Sequence, residues 1–157
     1  EERADVLTVY DWHGGYGHPD HIHVHRVGHR AAELAGTPNV FESTMNRDHL
    51  VRLMRAAQQQ GQSGGDDDGF DPEGPADDGN PFGTPEAEIS LRVDVSAFID
   101  VKRASIRCHA SQITDSGFFA QMPDDAFAMA FGAEWFIRKG QSGPPKLGFL
   151  TDELTPS

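Results

Sequence analysis

The chain has 157 residues, a formal net charge of −12 and 37% hydrophobic residues. That is enough apolar material for one domain with one core, and the wrong sign of charge for nucleic acid or an anionic membrane, since both need a basic footprint. Residues 61–80 supply −7 of the −12 through Asp66, Asp67, Asp68, Asp71, Glu73, Asp77 and Asp78, with no Lys or Arg among them, so the acidity belongs mainly to one segment. A single cysteine, Cys108, excludes an internal disulfide and fits a reducing compartment. No apolar run is long enough to span a bilayer, and the expected location is cytoplasmic.

In chain order, "DVLTVY" (5–10) is a β-branched run that reads as a buried strand of a parallel sheet. Residues 11–18 hold three glycines with Trp12, Tyr16 and two histidines, the composition of a loop at the strand's carboxyl end. Pro19 suits a first helical turn, where its missing N–H costs nothing. A helix follows, with Ile22, Val27 and Leu34 apolar and Gly36 plus Pro38 as its stop. "NVFEST" (39–44) is a second strand. "RDHLVRLMRAAQQQ" is a second helix with Leu50, Leu53, Met54 and Ala57 on one face.

Residues 61–85 are rich in Gly, Asp and Pro and read as a flexible acidic loop, with no core contacts expected over residues 61–80. "AEISLRVDVS" is a strand. Ser96 is the expected N-cap of a helix through "AFIDVKRASIRCHASQI", with Phe98, Val101, Ser105 and Cys108 on its inner face and Cys108 as a small core residue. "PDDAFAMAFG" is a shorter helix and "AEWFIR" a closing strand. Alternating strands and helices predict an α/β fold with ligands at strand carboxyl ends.

The chemistry concentrates in "GGYGHPDHIHVH" (14–25). His18 and His21 lie three apart; His21, His25 and His29 lie four apart and stack on one helix face. Imidazole is a common zinc ligand, and a catalytic zinc takes three protein ligands and keeps one open position. Histidines along an exposed helix face are also ordinary, so spacing alone leaves both readings open. His13, His23, His29 and His49 are expected to be solvated, and His25 to pack or face outward.

"YDWHGGYGHPDHIHVHR" resembles the second motif of the LmbE-like (PIG-L) zinc deacetylase family, in particular its mycothiol-related deacetylase and amidase branch. "NVFESTMNRDHL", the segment ending in His-x-Ser-Gln at His109 to Gln112, and "FGAEWFI" continue the likeness outside the acidic loop. The resemblance implies a Rossmann-like parallel sheet with flanking helices and Zn2+-dependent hydrolysis of an acetamide or related amide on an N-acylglucosamine-type small molecule. It makes His21 a zinc ligand. It makes His18 the histidine that stabilises the oxyanion and Asp20 the carboxylate that holds it. Tyr16 and Gln112 become substrate-binding residues.

The family's first motif, Ala-His-Pro-Asp-Asp-Glu, supplies two further zinc ligands and the general base. Its residues are not in this sequence; Pro123 to Asp125 follow Met122 where the motif needs His. With Glu1 opening just before a strand-like run, residues 1–157 are expected to be the carboxyl-terminal part of one such domain, lacking its first strands and inactive alone. The alternatives are a non-catalytic histidine-rich metal-binding module and a degenerate homologue.

Overall fold

The computed structural model describes residues 3–59, 71–109, 111, 122–141, 143–152 and 154. Strands β1 (Val6–Tyr10), β2 (Asn39–Thr44), β3 (Leu91–Asp94), β4 (Ala133–Arg138) and β5 (Lys146–Leu147) form one sheet in the order β1-β2-β4-β3-β5. β1 runs parallel to β2, and β3 runs parallel to β5. β2 and β4 are antiparallel, with Phe41 opposite Arg138 and Thr44 opposite Trp135. The expected α/β class therefore holds, but the sheet is mixed rather than parallel throughout. A parallel pair needs a crossover, which α1 supplies between β1 and β2. A strand's own sequence carries no record of the direction of its neighbour, so "AEWFIR" could not announce its antiparallel seat beside β2.

The chain divides into two compact units. One comprises Glu1–Val93 with Trp135–Ser157; the other is Asp94–Glu134. In the first, helix α1 (Pro19–Ala35) packs on β1 and β2. Its start is set by His18, whose extended backbone (φ −63°, ψ 125°) precedes Pro19 at the first helical position, as expected. Its end is set by Gly36, left-handed at φ 69°, whose N–H bonds the Ala32 carbonyl, the conformation only glycine takes without strain.

The apolar residues named for α1 do not all meet the sheet. Val27 and Leu34 are 66% and 72% exposed. The residues meeting the sheet are His25, Gly28, His29 and Ala32, spaced three and four apart. Ala32 joins Val9 and Val40 in the core, with Leu7 beside them. Gly28 permits the approach, since a Cβ there would lie 2.3 Å from Val9 Cγ1.

Helix α2 (Arg47–Gln59) is capped by Asn46, whose Oδ1 accepts the His49 N–H at 2.9 Å, satisfying a donor the helix start leaves unpaired. Leu50, Leu53, Met54 and Ala57 form its half-buried face, as the apolar spacing predicts.

Residues 61–70 of the acidic segment lie outside the described residues. Within 71–80 the expectation of no core contacts fails, since Asp77 N–H donates to the Tyr16 carbonyl at 3.1 Å and Pro72 is buried, and residues 81–84 beyond it are tied down as well. Gly83 N–H donates to the Gly15 carbonyl at 2.7 Å, Thr84 N–H to the Met45 carbonyl at 2.8 Å, and Thr84 is buried. The composition is that of a loop, but its carbonyls are claimed by Arg47. That side chain donates to Phe82 O (2.8 Å), Pro81 O (3.3 Å) and Gly83 O (2.7 Å).

In the second unit a short 3-10 turn, Ser96–Phe98, precedes helix α3 (Ile99–Arg107), and α4 spans Asp124–Phe131. Ser96 is not the cap of α3, which has no capping side chain. Phe98, Val101, Ser105 and Cys108 are all exposed, Phe98 and Val101 by more than 60%, so the expected inner face is an outer one. The opposite face is taken by long cationic side chains. Arg103 lies over the Phe127 ring at 4.3 Å and donates to Met122 O at 2.8 Å. Lys102 donates to Phe131 O at 3.0 Å and pairs with Glu134. Aliphatic stems with charged ends can cover an aromatic ring as apolar residues do, and a binary reading of the sequence assigns them to solvent.

Candidate active site

The site begins where β1 ends. Asp11 N–H continues the ladder to Ser43 O at 3.0 Å, and then the chain turns. The Asp11 carboxylate is fully buried and organises the turn. Oδ1 accepts the Gly15 N–H at 2.7 Å and Oδ2 accepts the Thr44 hydroxyl at 2.6 Å. Thr44 Oγ1 in turn lies 2.7 Å from Thr84 Oγ1. With Thr44 donating to Asp11, the Thr84 hydroxyl is the donor to Thr44. One carboxylate thus joins the glycine loop, the end of β2 and the acidic segment. Buried charges survive only when hydrogen bonds replace water, and these replace it.

Within the loop, Gly14, Gly15 and Gly17 all have positive φ (67°, 77° and 90°). Gly14 also carries a packing constraint, because a Cβ there would stand 2.5 Å from the Cβ of His21. The loop therefore passes flat against the first turns of α1, and the Gly14 carbonyl meets His21 Nδ1 at 3.1 Å. With Nδ1–H donating to that carbonyl, the His21 lone pair is on Nε2. A ring nitrogen fixed by a backbone carbonyl while the other faces outward is the usual posture of a metal-binding histidine. The ring is further held by Tyr10, stacked at 4.0 Å and 7°, and by Tyr16, edge-on at 5.2 Å.

His18 lies beside it, ring centroids 4.9 Å apart. Its Nδ1 accepts the Asp20 backbone N–H at 3.2 Å, so its ring proton sits on Nε2. Asp20 meets His18 through this amide, and its side chain occupies the exposed first turn of α1, where negative charge complements the helix dipole. Tyr16 is half-buried, edge-on to His18 and stacked with Phe82 at 6.1 Å. Burial, with Tyr10 and Asp77 nearby, raises its phenol pKa, so at neutral pH it remains a hydrogen-bond donor. Tyr16 and Phe82 line a cleft with Asp71, Gly74, Pro75, Ala76 and Asp77.

The structure thus brings Tyr16, His18 and His21 together. Gln112 lies outside the described residues. His109 is exposed, with Nδ1 3.2 Å from Ser105 O. Three of the histidines expected to be solvated are not. His13 is buried, with Nε2 3.3 Å from Gly83 O and Nδ1 3.5 Å from Asp78. His29 pairs with Glu42 at 2.8 Å. His49 is half-buried and lies 5.5 Å from the Trp135 ring. His23 is exposed, as expected. Desolvation pushes the Asp78 carboxyl upward, but hydrogen bonds from Asn80 and the nearby His13 outweigh it and hold the pKa below the ordinary value.

Several residues that build the site went unread in the sequence: Asp11, Thr44, Arg47 and Thr84. Asp11 had a usable signal. It is an acidic residue wedged between a strand run and a glycine turn, where exposure would be wasteful and a turn needs an acceptor. Thr44 and Thr84 carry no such mark.

The fit to a zinc ion is the fit of one ligand. His21 has the right posture, while the described residues bring it into no group of three or more histidine, cysteine or carboxylate side chains; the group of that size that forms is His25, His29 and Glu42.

An α/β sheet with a glycine-rich turn at a strand's carboxyl end, leading into a helix that opens on histidines, defines a class of ligand site in which backbone and imidazole converge on a bound group. No family model matches the chain. Curated proteins do. A protein of Nocardioides sp. is 35% identical over 157 residues, covering 91% of this chain and 51% of its own length. One of Saccharomonospora viridis is 38% identical over 133 residues, 84% of this chain and 44% of its own. One of Streptomyces griseus is 38% identical over 152 residues, 93% and 47%. All three are named 1D-myo-inositol 2-acetamido-2-deoxy-alpha-D-glucopyranoside deacetylase. The chain belongs to the LmbE-like (PIG-L) family of these deacetylases. It spans about half the length of the curated relatives it matches.

Proposed function

We propose that the protein hydrolyses the acetamide of an N-acetylglucosaminyl-inositol, or a closely related amide on an aminosugar, in a zinc-dependent reaction on a Rossmann-like α/β domain. The observation that carries this reading is the posture of His21, with Nδ1 committed to Gly14 O and Nε2 free, inside the segment that matches the deacetylases. A bound zinc ion would polarise the carbonyl and acidify its water, and two further ligands and a general base would come from residues of the protein other than those described.

The chain's own groups have separable tasks. His21 holds the ion through Nε2. His18 directs an Nε2–H toward the oxygen on which negative charge develops, and Asp20 fixes its ring through the backbone amide. An oxyanion donor of this type lowers a barrier by about 2.7–4 kcal/mol. Tyr16, kept protonated, donates to the sugar or to the same oxygen, and Phe82 supports its ring. Asp11 and Arg47 keep the loop and the 81–83 segment in place.

The test is acetate release from N-acetylglucosaminyl-inositol by the full-length protein reconstituted with Zn2+. The expected outcome is turnover that a strong chelator abolishes and Zn2+ restores. A metal-replete, folded protein that releases no acetate from this or any N-acetylglucosamine compound would overturn the assignment and favour a metal-binding module.

A further inference from the structure

A second cluster lies one and two turns along α1 from His21. His25 and His29 are four apart on the sheet-facing side, with ring centroids 4.5 Å apart. Glu42 reaches them from β2. Its Oε1 is 2.8 Å from His29 Nε2 and 3.8 Å from His25 Nδ1. One ligand atom from each of the three residues falls within 4.8 Å of the others. The side chains are 21%, 15% and 14% exposed, sheltered yet reachable by an ion.

Three features make this more than a surface coincidence. Glu42 is fixed from both sides, its residue pairing with Val9 of β1 and Ile137 of β4. The helix is fixed in height by Gly28 against Val9. His25 is held beside Glu42 by the Tyr10 carbonyl, 3.0 Å from its Nδ1; that nitrogen is also the one 3.8 Å from Glu42, and binding an ion through it would exchange the carbonyl contact for the metal. From α1 this half-buried carboxylate meets two imidazoles, and neither is a permanent cation.

We propose that His25, His29 and Glu42 form a second divalent transition-metal site that fastens α1 to β2, separate from the ion held by His21. Two imidazoles and one carboxylate suit Zn2+, Co2+ or Ni2+ and are poor company for Mg2+ or Ca2+, which prefer all-oxygen shells. Ligand bonds of about 2.0–2.2 Å at tetrahedral angles place donor atoms about 3.3 Å apart. The His29–Glu42 pair must therefore open by about half an ångström, within the reach of a glutamate rotamer. The fourth position is left to water. The ion would brace the helix whose first turns carry His18 and His21.

The experiment uses the full-length protein in two backgrounds, wild type and His21→Ala, each with and without His29→Gln and Glu42→Gln. After equilibration with Zn2+ alone and dialysis, bound zinc is counted by elemental analysis, and Co2+ is used as a spectroscopic probe. Circular dichroism confirms the fold of each variant. The expected result is that one equivalent survives in His21→Ala and is lost when either second change is added. Affinity should fall about 100-fold or more, since even outer-shell losses cost 10–100-fold. The Co2+ bands of the surviving ion should disappear with it. If His29→Gln and Glu42→Gln fold and leave the zinc count and cobalt spectrum unchanged in both backgrounds, the proposal is overturned. If His21 were not a ligand, His21→Ala would leave the wild-type count unaltered while His29→Gln still lowered it by one, so this test and the reading of His21 fail separately.

Discussion

Asp11 shows how much of a loop can rest on one buried carboxylate. Its two oxygens hold Gly15 N–H and the Thr44 hydroxyl, and through Thr44 they reach Thr84. Asp11→Ala leaves the buried Gly15 N–H without its acceptor and Thr44 with Thr84 alone, and the expected cost is about 1–3 kcal/mol, the loss for one orphaned buried group. Asp11→Asn should cost less. Its Oδ1 can still accept from Gly15, and its amide can donate to Thr44 Oγ1 if the Thr44 hydroxyl turns to donate to Thr84. Urea unfolding of both variants checks the ranking; an alanine variant as stable as wild type would show that the network does not hold the loop. Tyr16, His18 and His21, which the structure brings together, could be singled out from the sequence because they lie close along the chain in one motif. The supporting network could not, because its members come from residues 11, 44 and 84, and nothing local in a threonine says that its hydroxyl will be buried against a distant carboxylate.

Elements were easier to read than their orientation. β2, α2 and β4 follow from β-branched runs, apolar spacing and caps, and Pro19 and Gly36 bound α1 as a chain-level reading expects. The two-residue strand β5 is too short to carry a pattern. The inner face of α3 came out reversed, and on α1 His29, expected to be solvated, packs against Glu42, for a common reason. Histidine, arginine and lysine were counted as polar and turned outward, whereas here they supply the packed side, through ring contacts, hydrogen bonds to carbonyls and cation–π stacking. Gly28 is the element-scale test. In an open helix Gly→Ala stabilises by about 1 kcal/mol. At Gly28 the added methyl meets Val9 Cγ1 at 2.3 Å, on a β-branched side chain with few alternative rotamers in a packed core, and overpacking costs about 1–3 kcal/mol. The clash should win, making Gly28→Ala destabilising by about 1–2 kcal/mol. Chemical denaturation measures it, and a stabilised variant would mean that α1 rides higher on the sheet.

At the scale of the molecule, the acidic segment separates composition from structure. Seven acidic residues between 61 and 80 suggest a solvated loop, yet residues 71–85 close over the glycine turn through Gly83, Thr84 and the Arg47 clamp. Low apolar content predicts little burial of side chains. It says nothing of backbone carbonyls, which one guanidinium can gather. The mixed sheet is the other feature beyond local reading, since strand direction is settled by where the chain returns. Among the described residues no helix is long and apolar enough to cross a membrane.

The central claim is that His21 binds the catalytic ion and His18 does not. The direct measurement is bound zinc and kcat for His21→Ala and His18→Ala in the full-length protein, each alone and each in the His29→Gln background, so that an ion at the second site is not counted. The account predicts that His21→Ala loses the remaining equivalent of zinc and all turnover. His18→Ala should keep its zinc and lose about 10²–10³-fold in kcat, the scale of one oxyanion donor. Zinc lost from His18→Ala and retained by His21→Ala would contradict it and reverse the two roles.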